Sequence, residues 1–274
     1  MISRHLYEEI VRAALREDAP FGDPFGERFQ GRASGVFLAG GDGVLCGGPV
    51  AKEVFRQVDP SVSVSFSPDG SRVSPGDQVG EASGPAGSLL LGERTALNFL
   101  QRLSGVATAT SLFASRIAPY GTKLLDTRKT TPLLRILEKY AVRVGGGSNH
   151  RFSLSDGILI KENGIRTAGG IAPAVAAARS AAHHLLRVEV EAETLSEVEA
   201  AVAAGADAVL LDNMPPSMVW EAVTRFGGEV FLEASGGIHL GNVEEYARTG
   251  VAAIAVGAIT HSAPALDISF ELSA

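Results

Sequence analysis

Three groups of residues in this sequence have types and spacing suited to handling a small polyanion. The first is cationic. In DTRKTTP, Arg128 and Lys129 follow a short apolar run, and in GGGSNHR, His150 and Arg151 follow a triple glycine that allows close backbone packing. Lys161 ends the run GILIK. Guanidinium forks grip carboxylates and phosphates bidentately, whereas a lysine offers a compact point charge. Residues 116–166 hold ten basic and four acidic side chains, a local +6 in a chain of net charge −7. Within that stretch Arg135 and Lys139, four residues apart, read as a solvated helix face. His150 stands between Asn149 and Arg151 just after the glycines, which favours a ligand-binding role over a core histidine.

The second group is acidic and sits at the ends of apolar runs. In RVEVE the valines alternate with Glu189 and Glu191, so Val188 and Val190 face one side of a strand and both glutamates the other. Asp126, Asp212 and Glu233 end or nearly end TKLLD, AVLLD and EVFLEAS. For Glu189 and Glu233 a structural ion pair is the preferred reading, while Glu191 and Asp212 are placed for chemistry. Such carboxylates suit Mg²⁺ held largely through a substrate's phosphates. The third group is small: Ser235-Gly236-Gly237, and one run later Gly257-Ala258, where backbone N–H groups can approach an anion.

These positions require a scaffold that brings run ends together. From about residue 184 the chain alternates short apolar runs (185–191, 207–212, 229–235, 252–257) with helical stretches (195–204, 216–226, 242–249). Spacing of about 20 residues suits parallel strands with crossover helices. The runs 122–126 and 157–161, with a further strand around Val142, predict an incomplete parallel α/β barrel of six or seven strands, whose ligand site lies at the strand C-termini. Residues 1–105 read as a separate α/β domain with a leading helix, short strands from Val36 to Val44, and turns in the Pro/Gly-rich stretch from Ser67 to Gly87. In ERTALNFLQRLSG, Ala96, Phe99, Leu100 and Leu103 share one helical face, predicting a helix that leads into a barrel over 106–265.

The net negative charge argues against a general nucleic-acid or anionic-membrane surface. No apolar run approaches the roughly 20 residues of a membrane helix. The start, MISRHLYEEIVRAALRED, lacks the apolar core of a signal peptide, and the lone Cys46, expected to be buried, suits a reducing cytoplasm. HExxH, CxxC, GxSxG and Walker patterns are absent.

The segments ERTALNFLQRLSGVAT, LLDTRKTTP, LRILEKYAVRVGGGSNHR, GILIKEN, VEVEAE, AVLLDNM, LEASGGI and VGAITHSAPALDIS closely resemble the quinolinate phosphoribosyltransferases, in that family's order, from Glu93 to Ser269. PVAKEVFRQVDPS extends the likeness upstream. The resemblance implies an N-terminal α/β sandwich joined to the barrel, with residues 266–274 returning to the sandwich. It implies reaction of quinolinate with 5-phosphoribosyl-1-pyrophosphate (PRPP) and Mg²⁺ to give nicotinate mononucleotide, pyrophosphate and CO₂. Arg128, His150, Arg151 and Lys161 would hold the quinolinate carboxylates, with Arg94 supplied by the other subunit of a homodimer or larger homo-oligomer. Lys129 would meet the pyrophosphate, Glu191 and Asp212 the ribose or Mg²⁺, and the Ser235–Gly237 and Gly257–Ala258 amides the 5′-phosphate. Lys129, Lys161, Glu191 and Asp212 would carry the chemistry.

Two positions depart from the family pattern. Gly164 stands in IKENG where a histidine is usual, and near the N-terminus Gly22-Asp23 is followed by Pro24-Phe25 where Ile or Leu and then Thr are usual. Competing readings are a pyrophosphorylase-like protein of molybdate operons acting on another base, a catalytically silent homologue, and a barrel lyase using Lys161 as a Schiff-base nucleophile.

Overall fold

The computed structural model describes residues 2–273, so Met1 and Ala274, the outer ends of two expected ranges, lie outside the described residues. The chain forms two compact units. One comprises the N-terminal stretch to Ser111, Thr130–Gly146 and the chain from Ile259 on; the other comprises Leu112–Lys129 and Gly147–Ala258. The expected boundary at residue 105 therefore differs from the compact units, because 130–146 and the segment from Ile259 pack within the first unit.

In the first unit, helix α1 (Glu8–Asp18) precedes strand β1 (Arg32–Ala39), β2 (Gly43–Val44), helix α2 (Gly48–Val58), β3 (Ser63–Phe66), β4 (Arg72–Val73) and β5 (Gln78–Pro85). Residues 78–85, expected as turns, are thus a full strand. Its register with β1 pairs Ser34 with Ser83 and runs through Gly80 and Gly84, whose missing side chains admit Phe66 and Val62. The last strand, β12 (Ile268–Ser273), pairs antiparallel with the other edge of β1, giving the order β12-β1-β5-β3. Phe37 centres this unit's core, stacked on Phe270 at 4.4 Å and against Phe66 at 4.9 Å. The long helix α3 (Ala86–Ile117) buries Ala96, Phe99, Leu100 and Leu103, the face that its apolar spacing predicted. Cys46 is buried, and burial raises its thiol well above the ordinary range, as befits a core residue.

After β6 (Lys123–Leu125) comes α4 (Arg135–Val144), so the strand expected around Val142 is a helix. Its apolar residues recur at helical spacing, with Leu137, Ala141 and Val142 buried. Lys139 is also fully buried, which corrects its reading as part of a solvated face. The remaining elements alternate: β7 (Ile158–Ile160), α5 (Glu162–Ala168), α6 (Ile171–Ala181), β8 (Val188–Ala192), α7 (Leu195–Ala203), β9 (Ala208–Asp212), α8 (Pro216–Phe226), β10 (Phe231–Ser235), α9 (Val243–Ala247), β11 (Ala253–Ala255) and α10 (Ala258–His261). Helix starts follow local chemistry. Thr194 and Glu197 form a capping box at α7, and Pro216 opens α8.

The second unit is a parallel sheet in the order β6-β11-β10-β9-β8-β7. Its ladder has six strands, and in the seventh place Ser148 makes a single parallel bridge to Leu125 of β6. Side chains from β7, β9, β10 and β11 (Leu159, Leu210, Glu233 and Ala255) line one cavity, as an incomplete α/β barrel requires and a flat sheet does not permit. No helix among the described residues is long and apolar enough to cross a membrane.

Candidate active site

Parallel register sets the level of the site. Asp212 pairs with Ser235, Ser235 with Ala255, and Ala255 with Leu125, so four strand ends stand side by side. One strand further, Glu191 pairs with Leu210. Val188 and Val190 are fully buried under α6 and α7, which leaves Glu189 and Glu191 on the opposite, inner face.

Above this level is a cavity of about 370 Å³, a size suited to a small ligand. Arg128, Lys129, His150, Arg151 and Lys161 line it, facing Glu191 and Asp212, with Ser235, Gly236 and Gly237 at one side. Sequence reasoning placed all of these at one site. Arg94 is exposed on α3 in the first unit and does not line the cavity, nor do Gly257 and Ala258. Thr127 and Asn213 line it and were not singled out in the sequence; each directly follows a strand-end aspartate, and that adjacency was the available signal.

The loops are fixed by specific bonds. Asp126, fully buried, accepts from the His150 backbone N–H at 2.9 Å and from Asn149 Nδ2 at 2.6 Å, holding the NHR segment beside β6. Arg151 donates to the Gly157 carbonyl. Burial, followed by the charge of Arg128, lowers the pKa of Arg151. Lys161 pairs with Glu191, and Asp212 accepts from Asn213 Nδ2 at 2.8 Å. Gly236, at φ +91°, is needed: a Cβ there would fall 2.3 Å from Asn213 Oδ1.

The next segment, in the first unit, is anchored by an ion pair. Glu138, fully buried on α4, accepts from Arg102 Nη2 at 2.6 Å, from the Thr131 N–H at 3.0 Å and from Thr131 Oγ1 at 2.7 Å. Arg135 donates to Thr130 Oγ1 at 3.0 Å, so it ties down a loop instead of facing solvent alone.

At the cavity wall, Glu189 and Glu233 converge on His150. Glu189 Oε2 is 3.0 Å and Glu233 Oε1 3.7 Å from Nε2. Burial, then the charges of Glu189 and Asp126, push the Glu233 carboxyl well above its ordinary value. Gly164 is exposed on α5 and does not line the cavity; a Cβ there would make only ordinary contact with Ile160 at 3.6 Å.

Fold and site together define an enzyme of the α/β-barrel class, built to hold a compact polyanion between cations and carboxylates at the strand C-termini. The family model for the quinolinate phosphoribosyl transferase N-terminal domain matches residues 27–104, and that for the C-terminal domain matches 106–271. The chain belongs to the quinolinate phosphoribosyl transferase family. It is 43% identical over 269 residues to the probable nicotinate-nucleotide pyrophosphorylase [carboxylating] of Bacillus subtilis, covering 97% of this chain and 93% of that protein. The human nicotinate-nucleotide pyrophosphorylase [carboxylating] is 41% identical over 276 residues, covering 97% and 91%. The solved structure of the nicotinate-nucleotide pyrophosphorylase from Francisella tularensis superposes with a TM-score of 0.95 at 41% identity, covering all of this chain and 98% of that one.

Proposed function

We propose that this chain transfers the phosphoribosyl group of PRPP to quinolinate with loss of CO₂, yielding nicotinate mononucleotide and pyrophosphate. The observation that carries this reading is the single cavity in which Arg128, Arg151 and Lys161 stand across from Glu191 and Asp212, in a chain of this family. Two carboxylates on adjacent ring carbons need two or three fixed cations. A ribose developing positive charge needs anions.

In the reaction the ring nitrogen attacks the anomeric carbon as the bond to pyrophosphate breaks. Glu191 and Asp212 face the charge that builds on the ribose, and Lys129 meets the departing pyrophosphate. The ring nitrogen then carries positive charge, so the bond to the adjacent carboxylate breaks with its electron pair left on the ring. CO₂ departs and a proton takes its place. No covalent bond to the protein is formed, so Lys161 serves as an anion-binding charge. Ser235, Gly236 and Gly237 offer backbone N–H groups to the 5′-phosphate, with Gly257 and Ala258 proposed as a second contribution.

Mg²⁺ fits the donor chemistry of Glu191 and Asp212, two hard-oxygen carboxylates on the cavity wall, and when bound would neutralise pyrophosphate charge. We place the working unit as a homodimer in which the partner subunit's Arg94 joins the carboxylate site, and the enzyme in the cytoplasm.

Incubation with quinolinate, PRPP and Mg²⁺ tests the reading. Nicotinate mononucleotide is expected from quinolinate and not from nicotinate; product from nicotinate alone would contradict it.

A further inference from the structure

Both nitrogens of the His150 ring are engaged in bonds of known polarity. Nδ1 lies 2.7 Å from the backbone nitrogen of Arg151. A backbone N–H can only donate, so Nδ1 must present its lone pair. The ring proton is then on Nε2, 3.0 Å from Glu189 Oε2, which accepts it. A doubly protonated ring would set Nδ1–H against the Arg151 N–H, donor against donor. Next to Glu189, Glu233 is 2% exposed, and its Oε1 has no hydrogen-bond partner among the described residues. Glu233 Oε1, at 3.7 Å from Nε2, is beyond hydrogen-bond reach, which leaves Glu189 as the carboxylate that receives the Nε2 proton.

We propose that Glu189 is a positioning residue that holds His150 as a neutral imidazole with its proton on Nε2, making His150 a strut under the Arg151 peptide and not a cation for substrate. The hold on the substrate's carboxylates then falls to Arg128, Arg151 and Lys161. Chemically the arrangement is a tautomer lock: a carboxylate below selects the proton's place, and the opposite nitrogen fixes the peptide that carries the functional guanidinium. The substrate's identity in this inference rests on the proposed function; the tautomer does not.

The test has two arms. In protein labelled with ¹⁵N-histidine, with His150→Ala used to assign the signal among the six histidines, the ring of His150 should show a lone pair on Nδ1 and a proton on Nε2 at neutral pH. Protons on both nitrogens, or on Nδ1 alone, would overturn the proposal. In kinetics, Glu189→Ala should raise KM for quinolinate by about ten- to a hundredfold while leaving KM for PRPP within about threefold, the size expected for losing one charge-assisted orienting bond. Glu189→Gln keeps an acceptor for Nε2–H and should recover most of the loss. An equal rise in both KM values, or no recovery by glutamine, would show that Glu189 merely supports the fold. If Glu189→Ala does not fold, the ring signals of the parent and of Glu189→Gln still decide. If the parent makes no product from quinolinate, the proposed function fails, and the ring signals alone decide the tautomer.

Discussion

Glu138→Ala removes the anchor of the segment that follows Arg128 and Lys129, and its cost can be worked from the contacts. The carboxylate is fully buried and takes four hydrogen bonds: from Arg102 Nε at 3.0 Å, Arg102 Nη2 at 2.6 Å, and the nitrogen and hydroxyl of Thr131 at 3.0 and 2.7 Å. After the substitution Arg102 keeps the carbonyls of Ala263 and Thr260 but has no counter-charge. Breaking a buried ion pair from one side costs about 3–5 kcal/mol. The Arg102 side chain is 25% exposed, so water recovers part of this, and we expect about 3 kcal/mol. For a chain of this length that is a fall in Tm of about 6 °C. Urea denaturation and scanning calorimetry measure both. Arg102→Leu with Glu138→Leu should cost less than the two single changes summed, because neither charge is left alone. A loss under about 1 kcal/mol, or strict additivity, would refute the reasoning.

Arg128→Ala should weaken quinolinate binding at least about tenfold with a smaller effect on PRPP, read by titration calorimetry with each substrate; equal losses would show that the cationic cluster is misassigned. Glu233→Gln should flatten the pH dependence of stability. The folded carboxyl holds its proton well above the ordinary 4.5, so above that value the folded state binds more protons than the unfolded one and stability falls as pH rises. Glutamine has no proton to lose, so denaturation across that range should show a shallower slope, and an unchanged slope would contradict the assignment. Gly236→Ala should lose PRPP binding measured by calorimetry, since the new Cβ meets Asn213 and the backbone sits at φ +91°; binding unchanged would show that the loop is not the phosphate cradle.

The strand-end residues were legible because a parallel barrel converts position in the chain into position in space. Lys161, Glu191, Asp212 and Ser235 each end a short apolar run; register pairs Asp212 with Ser235 and Glu191 with Leu210, two residues before Asp212, and all four line one cavity. The helix over 216–226 was equally legible, bounded by prolines at its start and glycine at its end. Val142 was misread because a short apolar run without its neighbours' periodicity fits strand and helix alike. Residues 78–85 hid their strand behind glycines that exist to admit side chains from the adjacent strand. Lys139 was read as solvated because charge predicts exposure until packing overrides it. What no local pattern could supply was the ring of His150. Its sequence neighbours marked it for ligand binding, and it does line the cavity, but the bonds of its ring come from Arg151's own backbone and from Glu189, 39 residues along the chain.

The central claim is a phosphoribosyl transfer that requires quinolinate. With purified protein, PRPP, Mg²⁺ and quinolinate carrying ¹³C in the carboxylate next to the ring nitrogen, the account predicts labelled CO₂ and nicotinate mononucleotide in equal amounts, and no product when nicotinate replaces quinolinate. Folded protein that binds PRPP yet releases no labelled CO₂ would contradict it.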